Sequence, residues 1–333
     1  MQKAIVLINV GTPDSPKTKD VRPYLREFLG DKRVIDIPAI PRWLLVNLII
    51  APFRAPKSAK LYSQLWTEKG SPLRYISEDL AQKMQELVDQ NTTVSVAMRY
   101  GNPSIKQVLK NILHQQPDEL IIVPMYPQYA ESTTGTVTEA CLEFINKQVV
   151  IPKIKVVGQF YDHPAFIEAF RQKINSFQPE QYDHVLFSYH GLPESHINRI
   201  HPENSIESCN CQQEMPTHGK YCYRATCFAT TRLLQTACDI SESKSSVAFQ
   251  SRLTKKWLRP FADEQVIELA KKGVKKLLVV APAFVTDCLE TSVEIGIEYE
   301  ELFKKYGGEK LQLVFSLNAE DYWAESLLEI INA

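Results

Sequence analysis

The sequence predicts an α/β protein made of two similar, doubly wound, Rossmann-like units with parallel sheets. Three observations carry the prediction. The strand-length runs are almost wholly apolar and do not alternate, as parallel strands covered on both faces do not. Amphipathic segments of helical length lie between them. The chain also repeats itself loosely: a helix followed by PDELIIVPMYPQYAESTTG (117–135) is echoed by a helix followed by VKKLLVVAPAFVTDCLETS (274–292).

In chain order the expected strands are AIVLINV (4–10), TVSVAMRY (93–100), ELIIVPMYP (119–127), IKVVGQF (154–160), HVLFSYH (184–190), SVAFQS (246–251), KLLVVAPAF (276–284) and LQLVFSL (311–317). Expected helices include SEDLAQKMQELVDQ (77–90), SIKQVLKNILHQ (104–115), HPAFIEAFRQKINSF (163–177) and DEQVIELAKKGV (263–274). The last opens on Asp263 with an acidic first turn and reaches Gly273 near its end, matching cap preferences. The repeat places a unit boundary near 148–155. The expected units are 1–152, with an apolar stretch at 41–54, and 153–333, with a cysteine-rich insert at 207–227.

Composition narrows the class. The chain has 333 residues, 44% of them apolar and 23% charged, enough for about two domains with real cores. A formal net charge of −1 argues against a nucleic-acid surface spread over the molecule. The opening MQKAIVLINVGTP reads as a first strand rather than a signal peptide. No stretch approaches the ~18 apolar residues of a membrane span, so a cytoplasmic protein is expected. The seven cysteines are too few and too clustered for a secreted disulfide scaffold. Four of them, Cys209, Cys211, Cys222 and Cys227, form a C-x-C-x10-C-x4-C group that reads as a metal site, with plain reduced thiols as the alternative.

In open α/β sheets, ligands sit beyond the carboxyl ends of the strands. His190 ends an apolar strand before a Gly-Leu-Pro turn, where an imidazole either exchanges protons at neutral pH or merely caps the strand. Asp287, Glu290 and Glu294 are spaced by three and four, so they are expected on one helical face. They suit a visiting cation or a proton relay, or else a solvated helix N-terminus. The stretches 125–135 and 249–252 carry polar groups with no specific chemistry of their own. The segment 41–54, bounded by prolines and arginines, is either a buried helix or an exposed apolar lip for a flat ligand or a membrane surface.

Together these stretches resemble ferrochelatase, which inserts ferrous iron into a porphyrin. The likeness runs along nearly the whole chain, in order: LINVGTP (7–13), KLYSQLWTEKGSPL (60–73), MRYGNP (98–103), MYPQYAESTTG (125–135), FSYHGLP (187–193), FQSRLTKKWLRP (249–260) and FVTDCLETSVEI (284–295). The resemblance implies class II chelatase architecture with the active site in the interdomain cleft. It implies Fe2+ insertion into protoporphyrin IX to form protohaem, the last step of haem biosynthesis. His190 would be the active-site histidine, Glu290 the essential acid, and Asp287 and Glu294 the rest of an acidic track, with substrate Fe2+ meeting His190 and Glu290. Arg54, Tyr62, Ser71, Arg99 and Tyr100 fall where the family places porphyrin contacts, and Trp257 and Phe284 would pack on the macrocycle. The chemistry agrees, because iron(II) accepts imidazole and carboxylate ligands and insertion must remove two pyrrole protons.

The internal cysteine set resembles that of bacterial members which ligate a [2Fe–2S] cluster from an insert after the catalytic histidine. Zinc or no metal are the alternatives, and His218 could replace one thiol. The other family pattern places a cysteine where Glu131 stands here. Four thiolates hold iron tightly, so this group reads as scaffolding rather than iron delivery. Cys288 occupies a position where some relatives have His, and Cys141 and Cys238 read as small buried residues. Val10, where the coproporphyrin branch often has Tyr, leans toward protoporphyrin IX. The stretch 254–257 lacks the usual Gly before Trp257, which leaves that substrate contact open. The alternatives are a coproporphyrin III enzyme, a cobalt or nickel chelatase, and a non-catalytic haem or iron–sulfur sensor. A monomer or homodimer with peripheral contact at the inner membrane is expected.

Overall fold

The structure, a computed structural model, describes residues 1–200, 206–207 and 209–333. All eight expected strands form: β1 (Lys3–Thr12), β2 (Thr92–Gly101), β3 (Glu119–Pro124), β4 (Lys153–Val156), β5 (His184–His190), β6 (Ser245–Gln250), β7 (Lys276–Val280) and β8 (Lys310–Val314). They make two four-stranded sheets, ordered β2-β1-β3-β4 and β6-β5-β7-β8. Every pairing is parallel. Counted within its own half, each sheet has the order second, first, third, fourth, so the repeat in the sequence is a repeat of topology.

The unalternated apolar runs are explained by burial on both faces. All six residues of β3 are buried. In the first unit Val6, Ile8, Leu120 and Ile122 share a core with Leu109 and Val137 of the flanking helices. In the second, Leu186, Leu277 and Val279 pack with Val266, Ile295 and Phe303. Each such aliphatic side chain contributes roughly 1.5–3 kcal/mol on burial. Gly11 shows how tightly β1 and β2 meet. It has φ +108°, and a Cβ there would lie 1.8 Å from the Tyr100 carbonyl oxygen, so only glycine fits.

Compact units divide the chain differently from a cut at 152/153. One comprises Met1–Tyr126, Glu131–Gly158 and Ala319–Ala333, and the other Pro127–Ala130 and Gln159–Asn318. The last segment returns to the first unit because helix Asp321–Asn332 is amphipathic. It buries Trp323, Leu327 and Ile331 and packs against helix Pro72–Leu87. Lys155 Nζ donates to the Ile331 carbonyl at 2.7 Å.

The apolar stretch 41–54 lies in a continuous helical run made of Ala39–Leu44, a π-helical Leu45–Ile50 and Ala51–Leu65. One side buries Val46, Ala51, Ala55 and Tyr62. The rest projects outward, with Ile40 75%, Trp43 59%, Leu48 57% and Phe53 73% exposed. Of the two readings of this stretch, the exposed one holds. Among the described residues no helix is long and apolar enough to cross a membrane.

Candidate active site

β5 delivers His190 to its carboxyl end, half-buried. The imidazole Nδ1 lies 2.6 Å from the Gly191 carbonyl oxygen. A carbonyl only accepts, so Nδ1 carries a proton, and in the neutral ring the lone pair lies on Nε2. The rings of Trp257 and Phe284 stand 6.4 and 6.3 Å from the imidazole. Thus the two aromatics named from the sequence flank the named histidine. Although the stretch before Trp257 lacks glycine, it is fixed by pairing. Leu258 N–H donates to the Leu192 carbonyl and Glu194 N–H to the Lys256 carbonyl. A Cβ on Gly191 would meet the Gln250 carbonyl oxygen at 2.8 Å and the Trp257 ring at 3.3 Å, so glycine is what lets the chain turn here.

The acids are arranged differently from expectation. Glu290 and Glu294 lie on a π-helix, Glu290–Tyr299, while Asp287 stands in the turn before it, so the three do not share one helical face. Asp287 is 7% exposed. Its carboxylate accepts from Asn318 Nδ2 (2.7 Å), the Ser316 amide (3.1 Å) and Thr291 Oγ1 (3.1 Å). It is therefore a buried, multiply bonded anchor of the turn. Glu294 accepts from the Ser251 amide at 2.9 Å, from the Ser251 hydroxyl and from Tyr299 Oη at 2.8 Å. Burial, then the Glu294 charge, raises the Tyr299 phenol. Burial, then Glu294, also pushes the Glu298 carboxyl up. Glu290 is half-buried and has no ion-pair partner among the described residues. The neighbouring Cys288 thiol lies well above its ordinary value, through burial and then the Glu290 charge.

The first unit holds the other expected porphyrin contacts. Arg54 is exposed. Tyr62 is buried, edge-on to Tyr24 and Trp66. Ser71 is buried and accepts from Thr12 Oγ1 at 2.8 Å. Arg99 and Tyr100 belong to a closed network around Asp31, which accepts from Arg99 Nη2 (2.6 Å), Tyr100 Oη (2.9 Å) and Thr136 Oγ1 (2.6 Å). Tyr100 is 1% exposed, so its hydroxyl serves this network.

The four insert cysteines are all reduced and at least partly enclosed. Cys211, Cys222 and Cys227 are buried and Cys209 is half-buried. The Cys211 thiol is pushed up to about 12 by burial, with Cys209 and Cys222 adding to the shift. Burial also raises Cys222 and Cys227. Arg224 Nη1 donates to Cys211 Sγ at 3.2 Å, and Cys209 Sγ lies 3.7 Å from His218 Nε2. This donor set has the chemistry of a sulfur-bound metal, with a cation ready to offset thiolate charge. In the arrangement present, however, no group of three or more His, Cys, Asp or Glu among the described residues is placed to hold a metal ion. Cys141 is buried as expected, but Cys238 is only half-buried, because it closes the exposed end of helix Tyr223–Cys238.

Sequence reasoning missed the residues that hold the acids: Gln250, Ser251, Tyr299 and Asn318. The stretch after β6 stood out without a chemistry, and nothing in it signals that Ser251 adopts a left-handed backbone, φ +62°.

Comparison with known proteins agrees with this geometry. The ferrochelatase family profile matches residues 2–333. A ferrochelatase of Coxiella burnetii (strain Dugway 5J108-111) is 41% identical over 333 residues, covering 98% of this chain and 92% of that protein. One from Legionella pneumophila (strain Lens) is 41% identical over 335 residues, covering 100% and 99%. In fold alone, the chain is similar to SirB from Bacillus subtilis with Fe3+, at TM-score 0.56 and 11% identity, covering 100% of this chain and 95% of that one. With the histidine, its flanking aromatics and the acid-bearing π-helix in place, the chain belongs to the ferrochelatase family.

Proposed function

We propose that this ferrochelatase inserts Fe2+ into protoporphyrin IX, with His190 and Glu290 as the exchanging groups. One observation carries the reading: the His190 imidazole, its Nδ1 proton committed to Gly191, has the rings of both Trp257 and Phe284 within 6.4 Å. The open Nε2 lone pair can take a pyrrole proton, and the aromatic rings offer apolar faces to a macrocycle. Glu290 serves the opposite traffic, receiving Fe2+ or passing on the second proton, and Glu294 continues its path. Two protons leave the pyrrole nitrogens for each Fe2+ that enters, so charge balances. Asp287 acts from behind by fixing the turn. Arg54, exposed and without an ion-pair partner among the described residues, suits a propionate, whereas Tyr62, Ser71 and Tyr100 are buried and Arg99 is engaged by Asp31. Val10 favours protoporphyrin IX over coproporphyrin III.

The test is an anaerobic insertion assay with both porphyrins, using Fe2+ and Zn2+. The expected outcome is turnover of protoporphyrin IX, with at least about a hundredfold loss in His190→Ala and Glu290→Gln. Near-normal insertion by both variants would refute the assignment. Preference for coproporphyrin III would overturn the substrate, and porphyrin binding without metallation would mark a sensor.

Cys209, Cys211, Cys222 and Cys227 would hold a [2Fe–2S] cluster. Such a cluster would supply four sulfur bonds that staple the insert to helix Tyr223–Cys238. Support comes from the C-x-C-x10-C-x4-C spacing, from the burial of Cys211, Cys222 and Cys227, and from Arg224 at Cys211. Protein purified without air is expected to be brown, with about two iron and two sulfide per chain. Colourless protein containing zinc would decide for zinc.

A further inference from the structure

The stretch Gln250-Ser251 lies outside the groups assigned to the reaction, yet it bonds to the turn after His190, to the Glu290 main chain and to the Glu294 carboxylate. Gln250 ends β6 in register with His190, and its carbonyl accepts from the Gly191 amide at 2.8 Å. Its side chain is 1% exposed and both ends are used. Oε1 accepts from Ser188 Oγ at 2.7 Å, and Nε2 donates to the Glu290 carbonyl at 3.2 Å. The Glu290 carbonyl fixes which way the amide points, because a carbonyl only accepts and the amide nitrogen must therefore face it. A single buried residue therefore joins the histidine's strand to the first residue of the π-helix. A buried amide with every end bonded resists displacement, since moving it would leave polar groups unpaired.

Ser251 does the same for the next acid. Its amide and hydroxyl together grip the two oxygens of Glu294, and Tyr299 Oη adds a third donor. It achieves this grip at φ +62°, a left-handed backbone that glycine adopts freely and serine only with strain. A serine kept where glycine would relax the chain marks a side chain in use.

We propose that Gln250 and Ser251 are positioning residues for metal–proton exchange. Gln250 sets the spacing between His190 and Glu290, and Ser251 keeps the Glu294 carboxylate aimed along the π-helix. Neither touches the reacting atoms. The inference rests on the reading of His190 and Glu290 as the exchanging pair.

The test compares Gln250→Glu and Ser251→Gly with His190→Ala and Glu290→Gln in the full chain. Gln250→Glu keeps the shape but replaces the donor to the Glu290 carbonyl by an oxygen. Ser251→Gly removes the hydroxyl while relieving the backbone, so it leaves the fold intact. Both are expected to lower turnover about tenfold or more, with porphyrin affinity, read by fluorescence quenching, within about threefold of wild type. Ser251→Asn tolerates the left-handed backbone and restores a donor, so it should recover part of the turnover lost in Ser251→Gly. Ser251→Gly turning over within about twofold of wild type would overturn the role of Ser251. Gln250→Glu losing turnover, porphyrin binding and thermal stability together would make Gln250 merely structural. Normal insertion by His190→Ala and Glu290→Gln would instead bring down the reading beneath the inference.

Discussion

At the scale of the residue, chemistry was easier to foresee than support. His190 stood out as an imidazole at a strand's carboxyl end, open to a role or a mere cap, and Trp257 and Phe284 were named only through the resemblance to ferrochelatase. Their supports could not be named, because Gln250, Ser251 and Asn318 are ordinary residues whose roles arise from pairings across the fold and from backbone angles that a sequence does not display. Asp31 is another such case. Burial pushes its carboxyl up, but donors from Thr136, the Arg33 amide and Tyr100, with the Arg99 charge, outweigh that and hold it below the usual range. The unfolded chain therefore takes up the proton first as pH falls. The stabilisation is full above the unfolded value of about 3.9 and is lost as pH drops through the lower folded value. Asp31→Asn is expected to destabilise the protein at neutral pH yet flatten its loss of stability below about pH 4. Urea unfolding at a series of pH values checks this, and parallel curves for both proteins would refute it.

At the scale of the element, strands were legible and helices only in part. An apolar run with no alternation leaves little choice in an α/β chain, and all eight were found within a few residues. The π-helical turns were not legible, since i→i+5 bonding depends on what packs around a segment. Asp287 was placed on a helical face it does not occupy because the helix begins only after it. The run 39–65 was ambiguous for a different reason: its composition suits a buried or an exposed helix equally, and only packing decides. Its outward Ile40, Trp43, Leu48 and Phe53 have the character of an interfacial anchor. We predict that the protein sediments with anionic liposomes and that a Trp43→Ser/Leu48→Ser/Phe53→Ser triple variant loses at least about tenfold in partitioning while still turning over a detergent-solubilised porphyrin. Equal partitioning would refute the membrane contact.

At the scale of the whole molecule, the twofold repeat was visible because both halves solve the same problem with the same strand order. The path of the last fifteen residues was not visible, since an amphipathic helix does not announce which sheet layer it will cover. That path has a consequence for how the protein is made. The segment Ala319–Ala333 belongs to the unit that begins at Met1, and Trp323 and Leu327 are wholly enclosed there. During vectorial synthesis the ribosome therefore releases every piece of the second unit before it releases the closing helix of the first. The half that is translated first is the half that matures last, and until that helix emerges it waits with an open seam.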